Sequence, residues 1–289
     1  MEFNFFTLVF LFAILTSVLA LLWLNFRQDK AIDNSFDSVP DGFSETIKLE
    51  DHQKAGRYTK AKLLLNHFEI IFSTIVLLVW TLGGAMNWID GYWSQKIDDP
   101  VLMGTFFVLS IMLIASFIDL PFSIYRNFVL EHKFGFNRMT AGTFAADLIK
   151  EVILSLILVL PLIYAILYLM NIESIGNYWW IYVWAIISLF SLTMMWIYPS
   201  FIAPIFNKFN PLDNENLKTR ITSLLERTGF GSDGIYVMDG SKRSSHGNAY
   251  FTGIGKNKRI VFFDTLLKGM EDKEIEAILA HELGHFHHK

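Results

Sequence analysis

The sequence predicts an α-helical integral membrane protein of five spans over residues 1–205, followed by a cytosolic α+β region over residues 206–289. Three observations carry this expectation. Hydrophobic residues make up 53% of the 289-residue chain and charged residues 18%, with a mean hydropathy of +0.38, whereas soluble domains run about 45–50% apolar and about 25% charged. Five runs of mainly apolar residues approach the roughly 20 that a helix needs to cross a bilayer. Beyond about Ile205 the apolar residues recur at helical spacing or in short β-prone groups instead. The 27 Phe, 8 Trp and 10 Tyr exclude disorder, and the lack of cysteine excludes a disulfide framework and any thiolate zinc site. A net charge of -4 leaves no basic footprint for nucleic acid.

The runs extend approximately from Phe3 to Phe26, Ile70 to Met86, Val101 to Ile118, Val152 to Met170 and Tyr178 to Tyr198. Val18-Leu19-Ala20 could pass as a signal-peptide cleavage site. However, no basic n-region precedes the first run, its only early charge is Glu2, and it stays apolar through Leu24. It is therefore expected to be an uncleaved span.

Orientation follows from the loops, because short cytoplasmic loops carry the Lys/Arg excess. Arg27, Lys30, Lys48, Lys54, Arg57, Lys60 and Lys62 follow span one, and Arg126, Lys133, Arg138 and Lys150 follow span three. The loop after span two holds only Lys96, and residues 171–177 hold no basic residue. These loops alternate, so the N-terminus is expected outside, with loop 27–62 and everything after about Ile205 in the cytosol. Either a bacterial inner membrane or an endoplasmic reticulum membrane has such a side, and the bacterial one is the expectation carried forward. Trp88, Trp93, Tyr178, Trp179 and Trp180 fit outer interfacial belts.

Several ionisable groups sit near span ends: His67, Glu69, Asp119, Asp147, Lys150 and Glu151. Lys150 and Glu151 read as headgroup-level markers of a helix end, while Glu69 and Asp119 are balanced between that reading and a functional one. The stretch from Asp29 to Lys60, charged and punctuated by Pro40 and Gly42, reads as a loop with little core of its own.

In the C-terminal region, Leu217, Ile221, Leu224 and Leu225 mark an amphipathic helix stopped by Gly229. Residues 235–238, 248–252 and 259–263 read as three short strands. Asp264 is expected to N-cap a short helix, and a longer helix opens near Glu271 with Ile275, Ile278, Leu279 and Leu283 on one side. On that helix lies His281-Glu-Leu-Gly-His285.

This spacing places His281 and His285 one turn apart, where two imidazoles can bind one zinc ion, about one per chain. Glu282 flanks the metal without binding it. Zinc lowers the pKa of a bound water to about 7, and Glu282 can take that proton as general base in attack on a peptide carbonyl. The motif follows a β-segment, as in zincins, so the region reads as zincin-like. His287 and His288 read as polar residues on the emerging helix.

The stretches Asp239-Gly-Ser-Lys-Arg-Ser-Ser-His-Gly-Asn-Ala-Tyr-Phe-Thr-Gly253, Lys258-Arg-Ile-Val-Phe-Phe-Asp-Thr-Leu266 and Ala280-His-Glu-Leu-Gly-His285 resemble the type I CAAX prenyl proteases of the M48 metallopeptidases. Leu120-Pro-Phe-Ser-Ile-Tyr125 and Glu131-His-Lys-Phe-Gly-Phe-Asn-Arg138 are similar to the same family. The resemblance implies an integral-membrane zinc endopeptidase with a chamber inside a helical barrel, cutting near prenylated C-termini or other peptides. It also implies that Asn248, Ala249, Tyr250 and Phe251 pair with the substrate backbone, a mode that edge-strand augmentation makes physically reasonable. The family's third zinc ligand is a Glu far downstream, whereas this chain ends four residues after His285 and Glu274 lies too far back on the helix to serve. The chain is accordingly expected to be a fragment, inactive alone, of a longer membrane protein. The alternatives are another M48 membrane protease of quality control, or a non-catalytic membrane protein with a zincin-like tail.

Overall fold

In the computed structural model the described residues are 4–253 and 258–287, the last three by backbone only. The chain forms two compact units, Met1–Leu130 and Glu131–Lys289.

The first unit contains α1 (Phe5–Ser35), α2 (Leu49–Thr81), the short α3 (Ala85–Ser94) and α4 (Pro100–Ile124). Local chemistry sets the helix starts: Asn4 Oδ1 accepts from Thr7 N at 2.9 Å, and Asp99 Oδ1 accepts from Leu102 N at 2.7 Å with Pro100 in the first turn. Pro121 interrupts the hydrogen-bond ladder of α4, and a wide π-turn over Tyr125–Glu131 follows it.

The structure corrects the reading of residues 27–62 as a loop, because helix continues through most of them and only residues 36–48 connect α1 to α2. Charge punctuates loops, but Lys, Arg, Glu and Gln are also good helix formers, and a helix leaving the bilayer can wet its charged face. Lys60 Nζ meets Asp33 at 2.6 Å and Asp29 at 3.4 Å, and His52 Nε2 sits 2.7 Å from the Ser35 carbonyl. Gly56 lets the helices close up: a Cβ there would meet the Phe36 ring at 3.2 Å.

The second unit contains the short α5 (His132–Phe134), α6 (Ala141–Asn171) and α7 (Trp179–Ile197). A π-turn over Tyr198–Ile202 and α8 (Ala203–Phe206) lead into the sheet. The sequence boundary at residue 205 follows composition, whereas the unit boundary at residue 130 follows contacts, so spans four and five share a unit with the sheet. All five expected spans are present as long apolar helices, and at most 11% of any apolar window is buried inside the protein. Five such helices are long and apolar enough to cross a membrane.

The sheet contains β1 (Phe209–Pro211), β2 (Gly234–Met238), β3 (Ala249–Thr252) and β4 (Arg259–Phe263) in the order β1-β2-β4-β3, with only β2 and β4 parallel. The three anticipated strands are in place, and β1 adds a fourth. β4 is central, which explains its unbroken apolar run: Ile260, Val261 and Phe262 are all at most 1% exposed.

The amphipathic helix is α9 (Glu215–Thr228), capped by Asn214 Oδ1 accepting from Leu217 N at 3.1 Å and ended by Gly229 at φ +67°. After β4 come α10 (Asp264–Gly269) and α11 (Asp272–His287). Leu217, Ile221, Leu224 and Leu225 pack with Ile260, Phe262, Ile275, Leu279 and Leu283 into one core. Asp264 does not cap α10 as expected. Phe263 is the N-cap residue, and Asp264 accepts from Ser241, at 2.8 Å for the backbone N–H and again from the hydroxyl.

Candidate active site

The site begins with the register of α11. Glu274 Oε2 accepts from Glu271 N at 2.8 Å, one half of a capping box that sets the helix start. From there Ile275, Leu279 and Leu283 fall on one face and are at most 2% exposed. At 100° per residue, His281 lies on the side away from that stripe, and it is exposed. Glu282 is half-buried between the two faces. His285 occupies the next turn of the same helix, with its side chain outside the described set, and His288 lies outside the described residues. Among the described residues no group of three or more His, Asp or Glu forms a metal cluster.

β3 is the second element. It pairs only with β4 and is an edge strand among the described residues. Phe263 N donates to the Asn248 carbonyl at 2.9 Å. In the antiparallel register this makes residues 248, 250 and 252 the ones whose backbones bond to β4, and it turns the backbones of Ala249 and Phe251 outward. The four residues expected to act together therefore divide by role. Asn248 precedes the strand, and its Oδ1 accepts from Ala249 N at 2.9 Å, covering one outward donor. The side chains of Ala249 and Phe251 serve the core, and Phe251 meets Phe230 with ring centroids 5.0 Å apart. Tyr250 lies on the other face, edge-on to Phe263 and 3.9 Å from Met238 Sδ. Burial, and then the neighbouring Tyr198, push its phenol above the usual range.

The segment leading into β3 carries residues that sequence reasoning gave no role. Asn137 and Ser244 form a β-bridge, and Ser245 N donates to the Phe136 carbonyl at 3.0 Å. His246 stacks on Phe136 at 4.3 Å between centroids, its Nε2 3.2 Å from Glu131 Oε2. Arg243 meets Asp147 of α6. These partners are about 100 residues apart, so no local periodicity could pair them.

Residues 28–208 match the family description "CAAX prenyl protease N-terminal, five membrane helices", and residues 211–289 match "Peptidase family M48". The chain is 34% identical to a CAAX prenyl protease 1 homolog of Caenorhabditis elegans, over 91% of this chain and 64% of that protein. It is 36% identical to a Dictyostelium discoideum homolog, over 91% and 63% respectively. It thus spans somewhat less than two thirds of these relatives. Among solved structures, S. mikatae Ste24p matches with a TM-score of 0.88 at 32% identity, covering 99% of this chain and 68% of that one.

Proposed function

This chain belongs to peptidase family M48, and on that premise we propose that it is the greater part of a membrane-embedded zinc endopeptidase of the CAAX prenyl protease type. Its substrates are prenylated proteins or peptides, cut near their C-termini. The observation that carries the reading is the register of α11, which commits Ile275, Leu279 and Leu283 to the core and leaves His281 exposed. A histidine held only for packing would face the other way. The alternating basic loops support a cytosolic catalytic region and an N-terminus on the opposite side of the membrane.

The donor chemistry fits zinc. His281 and His285 would hold it from successive turns, with the third ligand drawn from the downstream Glu that the family resemblance implies. When bound, zinc supplies Lewis acidity at the scissile carbonyl and lowers the pKa of a water to about 7. Glu282 accepts the proton of the attacking water and returns it to the leaving amine. The outward backbone groups of β3, the Ala249 carbonyl and both groups of Phe251, pair with the substrate and hold it extended. Residues 248 and 250 direct their backbones to β4, so they shape this edge without bonding to substrate through it.

Glu282→Gln in the full-length protein preserves size and hydrogen bonding and removes the base. Turnover of a prenylated peptide is expected to fall about 10²–10⁴-fold with zinc content unchanged. Cleavage at the wild-type rate would end the assignment.

A further inference from the structure

Asp147, near the start of membrane helix α6, is only 7% exposed, far from the wetted position of a headgroup marker. Two cations face it. Arg243 places Nη2 at 2.7 Å and Nε at 2.8 Å from Oδ2, and Lys150, one turn along α6, lies 3.6 Å from Oδ1. Arg243 directs its other donors to the end of α8: Nη1 to the Asn207 side chain and Nη2 to the Phe206 carbonyl at 2.7 Å. The Arg243 backbone is held too, its carbonyl accepting from Arg138 N at 3.0 Å. A planar guanidinium satisfied by three acceptors on two elements has little freedom left. Six residues further on, the chain becomes β3.

A buried ion pair adds little net stability over apolar packing, because desolvation offsets the attraction; its attested contribution is directional. We infer that the Asp147–Arg243 pair is a positioning device for the substrate edge. It fixes the segment leading into β3 onto a membrane helix, and so sets where the outward groups of Ala249 and Phe251 stand relative to the bilayer. A substrate anchored in lipid by its prenyl chain and paired with β3 by its backbone has its cleavage register determined by that spacing. This rests on the reading of β3 as the substrate strand. Arg243 acts through β3 and is a positioning residue.

In the full-length protein, Arg243→Gln and Asp147→Asn are each expected to raise KM for a prenylated peptide about tenfold and to spread cleavage onto neighbouring bonds, with zinc content and kcat kept within about twofold. Because the pair acts as one unit, the double variant is expected to be no worse than the worse single. Arg243→Lys keeps the charge and part of the hydrogen bonding. It should fall between wild type and Arg243→Gln, and it serves if the glutamine variant does not accumulate. Variants that lose thermal stability or yield while KM and the cleaved bond stay at wild type would show a merely structural tie and overturn the inference. A different failure separates the underlying reading: if wild-type full-length protein cleaves no prenylated peptide, the proposed activity itself falls, and if Phe251→Pro leaves KM unchanged, β3 is not the substrate strand.

Discussion

The membrane spans and the α+β region are built from the same Leu, Ile, Val and Phe, but different media solvate them. In the spans, 0–11% of each apolar window is buried inside the protein, while Ile221, Ile260 and Phe262 of the α+β region are 0% exposed. Lipid accepts an apolar side chain at any position around a helix. A core packed to crystal-like density accepts only those whose spacing and shape fit. Apolar residues thus specify a span by number and the α+β core by position.

Paired truncations test this comparison most strongly. Leu279→Ala, at 1% exposure, is expected to cost about 2–5 kcal/mol. Leu189→Ala, 66% exposed on α7, should stay within about 0.5 kcal/mol. Hydrogen-exchange protection of α11 and α7, measured on the chain in lipid nanodiscs, reads both, and equal losses would break the comparison.

Helix caps sharpen it at smaller scale. Asn214 caps α9, and Thr140 Oγ1 caps α6 by accepting from Thr143 N at 3.1 Å. Asn214→Ala should cost about 1 kcal/mol, with the first turn of α9 fraying. Threonine is the weaker of the two cap residues, so Thr140→Ala should cost less, about 0.5 kcal/mol. The same exchange measurement decides, and a larger loss at Thr140 would reverse the argument.

The smallest effect is acid sensitivity confined to the α+β region. Burial pushes the Asp264 carboxyl up, but hydrogen bonds from the Ser241 hydroxyl and N–H, with Lys268 3.5 Å away, outweigh it and hold the group below the usual carboxylate range. A folded pKa below the unfolded value, about 3.9, contributes stability that is fully present above that value and is lost as pH falls through the folded one. Protection of α10 should therefore weaken on acidification below about pH 4, and Asp264→Asn should remove that component. Identical acid profiles in wild type and variant would show that Ser241 does not control the carboxyl.

The spans were legible because hydropathy integrates over about 20 residues and tolerates local errors. α9 was legible to within a residue, since Asn214 and Gly229 bracket an amphipathic repeat. Two misreadings share a cause, the use of local composition where longer-range contacts decide. The charged residues between Asp29 and Lys60 read as loop, yet Lys60 pairs with Asp29 and Asp33 across two helices. Asp264 had the residue type and place of an N-cap, yet Ser241, 23 residues earlier, supplies its donors.

The sequence alone determined the number of spans, the helical placement of His281, Glu282 and His285, and the β-prone segments around them, because each is a matter of composition or spacing along one stretch of chain. Only the tertiary structure decided that β3 lies at a sheet edge, that Ala249 and Phe251 turn their backbone groups outward, and that Asp147 is buried against Arg243. Strand order and charge pairing depend on which distant segments meet, and an apolar run or an isolated aspartate reads the same whichever partner it finds.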